Sequence, residues 1–465
     1  MGKKSTSKFS DTRLDKVFSG LVASMVTRFT ATIRQLGQGT SEEMRYGRFI
    51  NNAKVNPDVL LEHYWKEIKT DFKDKHILVI NDTSTVGFAH RSDREGLGYV
   101  GPKTTKSGFD LHPSLMVDAT NSHLYGIGGI TIQKTEFIKT EEDKALQLQN
   151  RKDNWKIPFE DKERYKWFTS PQKAINNCAG AAKYTLIGDR ESDIYDLIAR
   201  TLQNNWEFVY RSKTNRRIEP QLSAKTLYKV IDNWQIADTY ELNLPATKKR
   251  SAHLATMELK FGTVNIERPK SHPDKDLPAS IKLQVVEVKE QPQTVVGDEK
   301  AVHWLILTSH PTDTIEQARQ IIQWYQWRWI IEELFRTLKT KGIDIEKSEV
   351  ETYNALTNLS TLALIAASQV MQLVRARDGQ SEQKMEDSFF EAEQECLLRL
   401  NNKLEGRTQK LKNPYPADSL AFATWVIARL GGWSGYQSKR PAGPITIING
   451  LARFHNIMEG FYLRL

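Results

Sequence analysis

The segment at residues 321–339, IIQWYQWRWIIEELFRTLK, constrains the fold of this chain more than any other part of the sequence. At about 100° per residue, a helix over this segment would gather several polar side chains within an arc of about 60°. The polar set comprises Tyr325, Arg328, Glu332 and Lys339. An adjoining apolar stripe comprises Trp324, Trp327, Ile331, Leu334, Phe335 and Leu338. The pattern predicts a helix that packs against a core and presents one carboxylate between cationic neighbours.

The composition is that of a large, basic protein with a substantial core. The chain has 465 residues, enough for two or three domains, and 39% of them are hydrophobic. The net charge of +9 favours a polyanionic partner, although an ordinary basic protein is the alternative. Two cysteines, Cys178 and Cys396, are too few for a disulfide framework or a cysteine-rich zinc site. Without a signal peptide or an unbroken apolar stretch of about 18 residues, the chain is expected to be cytoplasmic, with no membrane segment.

Periodicity divides the chain into three predicted regions. Helical spacing and clustered basic residues predict a helical domain at residues 1–70, which could lie on DNA or form a solvated cap. An α/β core is predicted at residues 71–370, and alternating residues at about 220–295 indicate an antiparallel, half-exposed sheet inserted into it. Residues 371–465 are predicted to be helical and to end in a short helix. The predicted core strands are at 76–82, 115–118, 124–133, 183–189, 208–211 and 303–308.

Three carboxylates from distant segments point to metal chemistry. Asp82 and Asp189 each end an apolar strand, where side chains reach the crevice at the edge of an α/β sheet. Glu332 comes from the helix described above. Carboxylate oxygens suit Mg²⁺ or Mn²⁺, and two such ions about 3.5–4 Å apart can assist an in-line phosphoryl displacement. Arg328 and Lys339 would then hold the phosphates of the scissile strand.

Each of these residues also has a purely structural interpretation. Asp82 can cap the turn after its strand, and Asp189 can cap the helix that follows. Glu332 can pair with neighbouring arginines on a solvated helical face. Tyr325, which would donate one hydrogen bond to a phosphate, belongs to the same arc. No structural rule requires all three carboxylates together, so their combination favours a metal site.

The spacing Tyr-x2-Arg-x3-Glu-x6-Lys from Tyr325 to Lys339 resembles the YREK signature of bacterial insertion-sequence DDE transposases, in the cut-and-paste branch that forms a DNA hairpin. Residues 81–84, NDTS, resemble the first-aspartate motif of that family. Residues 188–194, GDRESDI, resemble its second motif, Asp-Arg-Glu-x-Asp-Ile. The likeness extends over nearly the whole chain. The YREK spacing and the Asp-Arg-Glu motif together are highly specific.

The resemblance implies a fold and a catalytic centre. It implies a ribonuclease H-like core with Asp82 on the first strand, Asp189 after the fourth and Glu332 on a late helix. These three residues would be catalytic and would bind two Mg²⁺ or Mn²⁺ ions. The β-rich stretch would be the insertion between the second aspartate and the glutamate.

The resemblance also implies a set of DNA contacts. Trp304 stands where the family stacks a flipped base beside the cleavage site, and packing in the core is the alternative. A basic stretch would contact the DNA backbone, unless it is only a solvated turn. That stretch contains Arg211, Lys213, Arg216 and Arg217.

The function implied is DNA transposition in a bacterial cell. A homodimer would bind the inverted-repeat ends of its own element through residues 1–70, with residues 371–465 available for dimerisation. It would cleave double-stranded DNA through a hairpin intermediate and join the 3′-hydroxyl ends to target DNA, in the nucleoid region of the cytoplasm. Two alternatives remain open at this point: a catalytically inactive DNA-binding regulator, and a metal-dependent nuclease of the same fold.

Overall fold

The computed structural model describes residues 9, 11–67, 71–88, 94–100, 106–135, 156–244, 246, 250–339, 342–379, 382–389, 391–436 and 441–462. Most of the charged segment at 139–166, which the sequence predicts to be helix and surface loop, lies outside these residues. The described chain is a mixed α/β structure in which 13 strands form one sheet and helices cover it.

Helices dominate the N-terminal region, as its periodicity predicts. They are α1 (Thr12–Arg28), α2 (Ile33–Leu36), α3 (Thr40–Ile50) and α4 (Pro57–Glu67). Asp11 caps α1, because its side chain accepts a hydrogen bond from the backbone N–H of Arg13 at 2.9 Å. Trp65 of α4 donates from Nε1 to the carbonyl of Ile127 in the sheet at 2.6 Å. The N-terminal helices therefore pack on the core.

The central part of the sheet has five strands in the order β5-β4-β1-β6-β7. The first seven strands of the chain are β1 (His76–Asn81), β2 (Ser84–Phe88), β3 (Gly98–Val100), β4 (Lys106–Asp118), β5 (Leu124–Gln133), β6 (Lys183–Gly188) and β7 (Glu207–Arg211). Strand β4 is antiparallel to both β1 and β5, whereas β1, β6 and β7 run parallel. The short strands β2 and β3 extend this sheet along β4 and were not predicted. Helices α5 (Lys166–Asn177) and α6 (Tyr195–Gln203) provide the crossovers of the parallel strands.

The β-rich insertion continues the core sheet. Its elements are β8 (Arg217–Gln221), β9 (Ala224–Thr226), α7 (Leu227–Asp232), β10 (Asp238–Leu244), β11 (His253–Glu267) and β12 (Ser280–Glu290). Strand β13 (His303–Thr308) pairs with β12 on one side and β7 on the other, so no break separates insertion from core. The alternation in the sequence predicts separate strands at 255–261 and 263–267, but the structure joins them through Gly262 into the single strand β11. A Cβ at Gly262 would lie 2.9 Å from the ring of Trp234.

The C-terminal part of the described chain is helical. It contains α8 (Ile315–Trp327), α9 (Trp329–Leu338), α10 (Tyr353–Ala376), α11 (Glu391–Leu404), α12 (Leu420–Leu430) and α13 (Pro444–Tyr462). The prediction of a short final helix was wrong, since α13 has 19 residues. Gly450 lets α13 pass close to α12: a Cβ there would lie 1.9 Å from the carbonyl oxygen of Ile427. This close packing of α13 on α12 joins distant parts of the chain, so the local sequence does not display it.

Helix α10 is the core helix of the protein. Its length and composition alone would allow it to cross a membrane, yet 83% of its most apolar window is buried inside the fold. The side chain of Asn358 on α10 donates to the carbonyls of Ile50 and Val55, at 2.9 and 3.0 Å. The apolar surface of α10 is thus covered by protein. Cys178 and Cys396 are buried free thiols.

A half-buried histidine, His76, and a buried one, His310, join the first core strand to the helix of the sequence signature. The hydroxyl oxygen of Thr185 lies 2.7 Å from Nε2 of His76 and 2.8 Å from Nε2 of His310. The ring of Trp324 packs 5.0 Å and 4.9 Å from the two imidazoles. Burial lowers the pKa of His76 to about 4 and that of His310 to about 3, so both rings are neutral near pH 7.

This cluster predicts acid lability of the fold. A histidine whose pKa is lower in the folded state stabilises that state fully above pH 6.5, and the contribution is lost as the pH falls toward the folded pKa. His310→Gln keeps a polar group near Thr185 but removes one imidazole that takes up a proton in this pH range. The slope of unfolding free energy against pH, measured with urea between about pH 6 and pH 4, should fall by about 1.4 kcal/mol per pH unit. Parallel curves for the wild type and the variant would contradict this assignment.

Candidate active site

The register of the parallel strands brings the two aspartates together. Residue Ile80 of β1 pairs with Ile187 of β6, so both strands end at the same level. Asp82 and Asp189 follow at equivalent distances beyond these paired residues. Asp189 also caps the turn at residues 190–192, since its Oδ1 accepts the backbone N–H of Glu191 at 2.8 Å. The capping interpretation of Asp189 is therefore confirmed for this turn, and its role in a metal site stays a prediction.

The signature segment forms two helices, α8 and α9, with Arg328 at their junction. The prediction of one continuous helix was wrong at this point, but the polar arc survives because Arg328 keeps right-handed helical backbone angles. Its Nη1 donates to Oδ2 of Asp82 at 2.8 Å, and its Nη2 donates to Oε1 of Glu332 at 2.6 Å. The Arg328 side chain is 9% exposed. One buried guanidinium thus joins two of the three carboxylates.

The charges of the three carboxylates interact. Burial raises the pKa of Asp82 to about 6, and the negative charges of Asp189 and Glu332 add to this rise while Arg328 opposes it. An acid with a raised folded pKa stabilises the fold at low pH, and this contribution is lost as the pH rises through about 6. At neutral pH the site therefore holds more negative charge than Arg328 compensates.

This donor set fits divalent cations in its chemistry. Carboxylate oxygens are the ligands that Mg²⁺ and Mn²⁺ prefer, and the excess negative charge would be neutralised by cations. Within the described residues, however, no three His, Cys, Asp or Glu side chains stand at metal-binding spacing. Arg328 lies between Asp82 and Glu332 and donates to both. A cation that binds these two carboxylates would compete with the guanidinium for their oxygens.

The remaining members of the signature surround the carboxylates. Lys339 donates from Nζ to the carbonyl of Thr85, just beyond the first-aspartate motif. Tyr325 is only 3% exposed, and its ring lies 5.8 Å from that of Trp304 in an edge-to-face arrangement. The guanidinium carbon of Arg328 is 5.9 Å from the Tyr325 ring centre. Tyr325 and Arg328 are thus mostly covered in the structure.

The predicted basic stretch divides into two kinds of residue. Lys213 is exposed, and Arg217 is exposed while bonding to Glu267 through Nε at 3.1 Å. Arg211 is half-buried, with Nη2 donating to the carbonyl of His303 at 2.7 Å. Arg216 requires a correction as a DNA contact, because it is buried and committed to an internal ion pair.

Asp193 of the second motif is the partner of Arg216. Its Oδ1 accepts Nε and Nη2 of Arg216 at 2.9 and 2.5 Å, and its Oδ2 accepts the backbone N–H groups of Lys213 and Thr214. The Asp193 side chain is fully buried. It therefore shapes the turn that presents Lys213. Asp193 belongs to the GDRESDI motif, so the sequence already singled out the residue that stabilises this turn.

Two residues behind Asp82 were missed by the sequence reasoning. Thr83 donates its backbone N–H to Oδ1 of Asp82 at 2.8 Å, and its hydroxyl oxygen lies 2.9 Å from Nδ1 of His112. Thr83 belongs to the NDTS motif, which could have revealed it. His112 lies in the part of β4 that precedes the predicted strand at 115–118, and the pairing of β4 with β1 brings it near.

Comparison with known families gives one match. Residues 173–369 match the family model of the transposase DDE domain. This match supports a DDE transposase. It includes Asp189, Glu332 and both helices of the signature, whereas Asp82 lies before it and is connected to the matched region by β1–β6 pairing and by Arg328. DDE transposase domains generally use divalent metal ions, and the mixed sheet is compatible with a ribonuclease H-like transposase core.

Proposed function

We propose that this protein is a DDE transposase of the hairpin-forming, cut-and-paste type, with Asp82, Asp189 and Glu332 as its catalytic triad. The observation that supports the proposal is the pair of hydrogen bonds from Arg328 to residues of two motifs, beside the strand that precedes the third. Strand register aligns the two aspartates, and Arg328 connects Asp82 to Glu332. A ribonuclease H-like core is part of this proposal, supported by the strand order of the five central strands.

The proposed reaction is a series of phosphodiester exchanges at one centre. Water first cleaves one strand and leaves a 3′-hydroxyl, which attacks the opposite strand to form a hairpin. A second water reopens the hairpin, and the freed 3′-hydroxyl then attacks target DNA. Two Mg²⁺ or Mn²⁺ ions held by Asp82, Asp189 and Glu332 would activate the attacking oxygen and stabilise the leaving one. Arg328, Lys339 and other cationic groups would neutralise the phosphates.

The same proposal assigns the DNA partners and the cellular location. The basic N-terminal helices would bind the inverted-repeat ends, and the protein would act as a homodimer on double-stranded DNA in the bacterial cytoplasm. Trp304 would stack a flipped base, since it is half-buried beside Tyr325 at the edge of the site. Lys213 and Arg217, on exposed positions after β7, would contact the DNA backbone.

Cleavage of a cognate DNA end tests the proposed function. Matched inverted ends in the DNA that flanks the gene would supply the substrate. We expect the purified protein with Mn²⁺ to nick this end, to convert it into a hairpin and to join it to a target plasmid, all of which denaturing gels resolve. Nicking without hairpin or joined product would support the nuclease alternative. Binding that is insensitive to chelator and accompanied by no nicking would support the regulator.

The regulator alternative has one observation in its favour. Arg328 neutralises part of the carboxylate cluster in the absence of cations, as a basic residue in an inactive DNA-binding protein would. All three carboxylates are nevertheless present, and a binding module would gain more from neutral or basic residues at those positions. The active enzyme is therefore the function we propose.

Lys213 and Arg216 form a matched pair for testing the DNA contacts. Lys213→Ala should weaken binding to many DNA sequences about equally and reduce the slope of log affinity against log salt by about 1, because one phosphate contact is lost. Arg216→Ala should instead lower the unfolding temperature, since it leaves buried Asp193 without its cation. Fluorescence anisotropy at several salt concentrations and thermal unfolding measure the two effects. An unchanged salt slope in a folded Lys213→Ala variant would remove this residue from the DNA interface.

A further inference from the structure

A fully buried histidine lies behind Asp82. His112 on β4 has no exposed surface, and its Nδ1 is 2.9 Å from the hydroxyl oxygen of Thr83. The backbone N–H of Thr83 in turn donates to Oδ1 of Asp82 at 2.8 Å. Two hydrogen bonds through one residue therefore connect the imidazole to the carboxylate. Oδ2 of Asp82 takes no part in this chain and faces Arg328.

The imidazole makes its described hydrogen bond only through Nδ1. Its Nε2 is buried and has no hydrogen-bond partner among the described residues. Burial holds the pKa of His112 well below its usual range, so the ring is neutral. A buried polar atom without a partner destabilises the fold, which makes histidine a poor choice for filling space alone. The useful part of this side chain is the nitrogen that faces Thr83.

Packing fixes the ring against both aspartate strands. The ring of Trp167 on α5 lies 4.6 Å from that of His112, and Ser170 on the same helix donates to the His112 carbonyl at 2.8 Å. Trp167 also closes over Gly188, the residue before Asp189, where a Cβ would come within 2.9 Å of the indole. Helix α5 therefore holds His112 in place and fits tightly against the strand end that carries Asp189.

We propose that His112 is a positioning residue for Asp82 and acts through the side chain and backbone of Thr83. The hydrogen bond at Nδ1 fixes the Thr83 hydroxyl, which holds the Thr83 backbone N–H against Oδ1 of Asp82. Rotation of the Asp82 carboxylate is thereby restricted, and Oδ2 stays directed toward Arg328. The inference rests on the proposed metal-dependent function and assigns two residues that support its first ligand.

Paired variants distinguish positioning from simple filling of the core. Thr83→Val removes the hydroxyl at nearly constant volume, whereas Thr83→Ser keeps it. His112→Asn places an amide close to the position of Nδ1, whereas His112→Gln places it close to Nε2. Glutamine is nearer to histidine in size, so a space-filling role would favour His112→Gln. A positioning role reverses this order and favours His112→Asn.

The measurement is the affinity of the full-length protein for Mn²⁺ without DNA, by calorimetry or electron paramagnetic resonance, together with the unfolding temperature. We expect Thr83→Val and His112→Gln to bind Mn²⁺ about 10–100-fold more weakly than the wild type, the usual effect of removing a partner of a metal ligand. Thr83→Ser and His112→Asn should bind close to the wild type. The double variant Thr83→Val/His112→Gln should be no weaker than either single variant, because one chain of hydrogen bonds is broken in each.

Two results would overturn the proposal. The first is that Thr83→Val binds Mn²⁺ as tightly as the wild type. The second is that Mn²⁺ affinity follows the unfolding temperature, so that His112→Gln binds more tightly than His112→Asn. Failure of the proposed function itself looks different, because the wild type would then bind no Mn²⁺. In that case the histidine ¹⁵N spectrum decides. The Nδ1 resonance, assigned by its loss in His112→Asn, should shift in Thr83→Val and not in Thr83→Ser. An unshifted resonance would reject the hydrogen bond.

Discussion

Replacing Glu332 by glutamine is expected to reduce Mn²⁺-dependent cleavage of the cognate DNA end by about a thousandfold or more. Glutamine keeps the size of the side chain and an oxygen for Arg328, but it removes the negative charge that would hold a cation. A metal ion contributes several kcal/mol to transition-state stabilisation in such reactions, and about 1.4 kcal/mol corresponds to a factor of ten in rate. Single-turnover cleavage on a labelled end measures the loss.

Glu333 supplies a matched control for this experiment. It is the next residue on the same helix, it is exposed, and it lies outside the bridge between Arg328 and Asp82. Glu333→Gln should therefore cleave at close to the wild-type rate. Both variants should unfold near the wild-type temperature. Undiminished cleavage by folded Glu332→Gln would refute the assignment of Glu332, and equal losses in both variants would point to a general effect on the helix.

The second large effect is expected for Arg328. Its guanidinium is buried and hydrogen-bonded to both Asp82 and Glu332, so Arg328→Gln would leave two facing carboxylates without their cation. Removing one partner of a buried ion pair typically costs about 3–5 kcal/mol. The metal-free variant should therefore unfold at a clearly lower temperature than the wild type. Mn²⁺ should raise the unfolding temperature of the variant more than that of the wild type, because the cation replaces the missing positive charge.

Arg336 is the control for Arg328. It lies two turns further along the same helical region and is exposed, and its removal should change neither the metal-free unfolding temperature nor the response to Mn²⁺. Scanning fluorimetry with chelator and with added Mn²⁺ gives both quantities. Equal metal-free stabilities of the wild type and Arg328→Gln would show that the guanidinium does not hold the carboxylates in solution. A smaller Mn²⁺ response in Arg328→Gln would show that it assists cation binding instead.

The local sequence pattern was sufficient to predict most of the core strands. Strand β5 begins and ends at the predicted residues, and β13 does so as well. The continuous apolar runs of these strands reflect burial on both faces, which a sequence displays directly. Strands β2 and β3 were missed because they are short and include glycine, so their pairing with β4 decides their conformation.

The identity of the site residues stays a prediction, while part of their geometry is visible in the structure. Asp82 and Asp189 follow paired strands, and Lys339 donates to the carbonyl of Thr85. The spacing of Glu332 from the neighbouring arginines anticipated its ion pair, but it did not reveal the second bond of Arg328 to Asp82 or the burial of Arg216. The sequence does not show whether an arginine faces solvent, DNA or a buried carboxylate. Only its neighbours in the tertiary structure distinguish these cases.

By itself, the sequence determined which short segments carry the chemistry, because motif spacing, strand burial and helical periodicity are properties of neighbouring residues. Tertiary structure alone decided which of those segments meet. The alignment of Asp82 with Asp189 depends on the register of β1 and β6, and the approach of His112 depends on the pairing of β4 with β1. Such contacts join residues distant in the chain, and packing of the complete core selects them from many pairings that local pattern would equally allow.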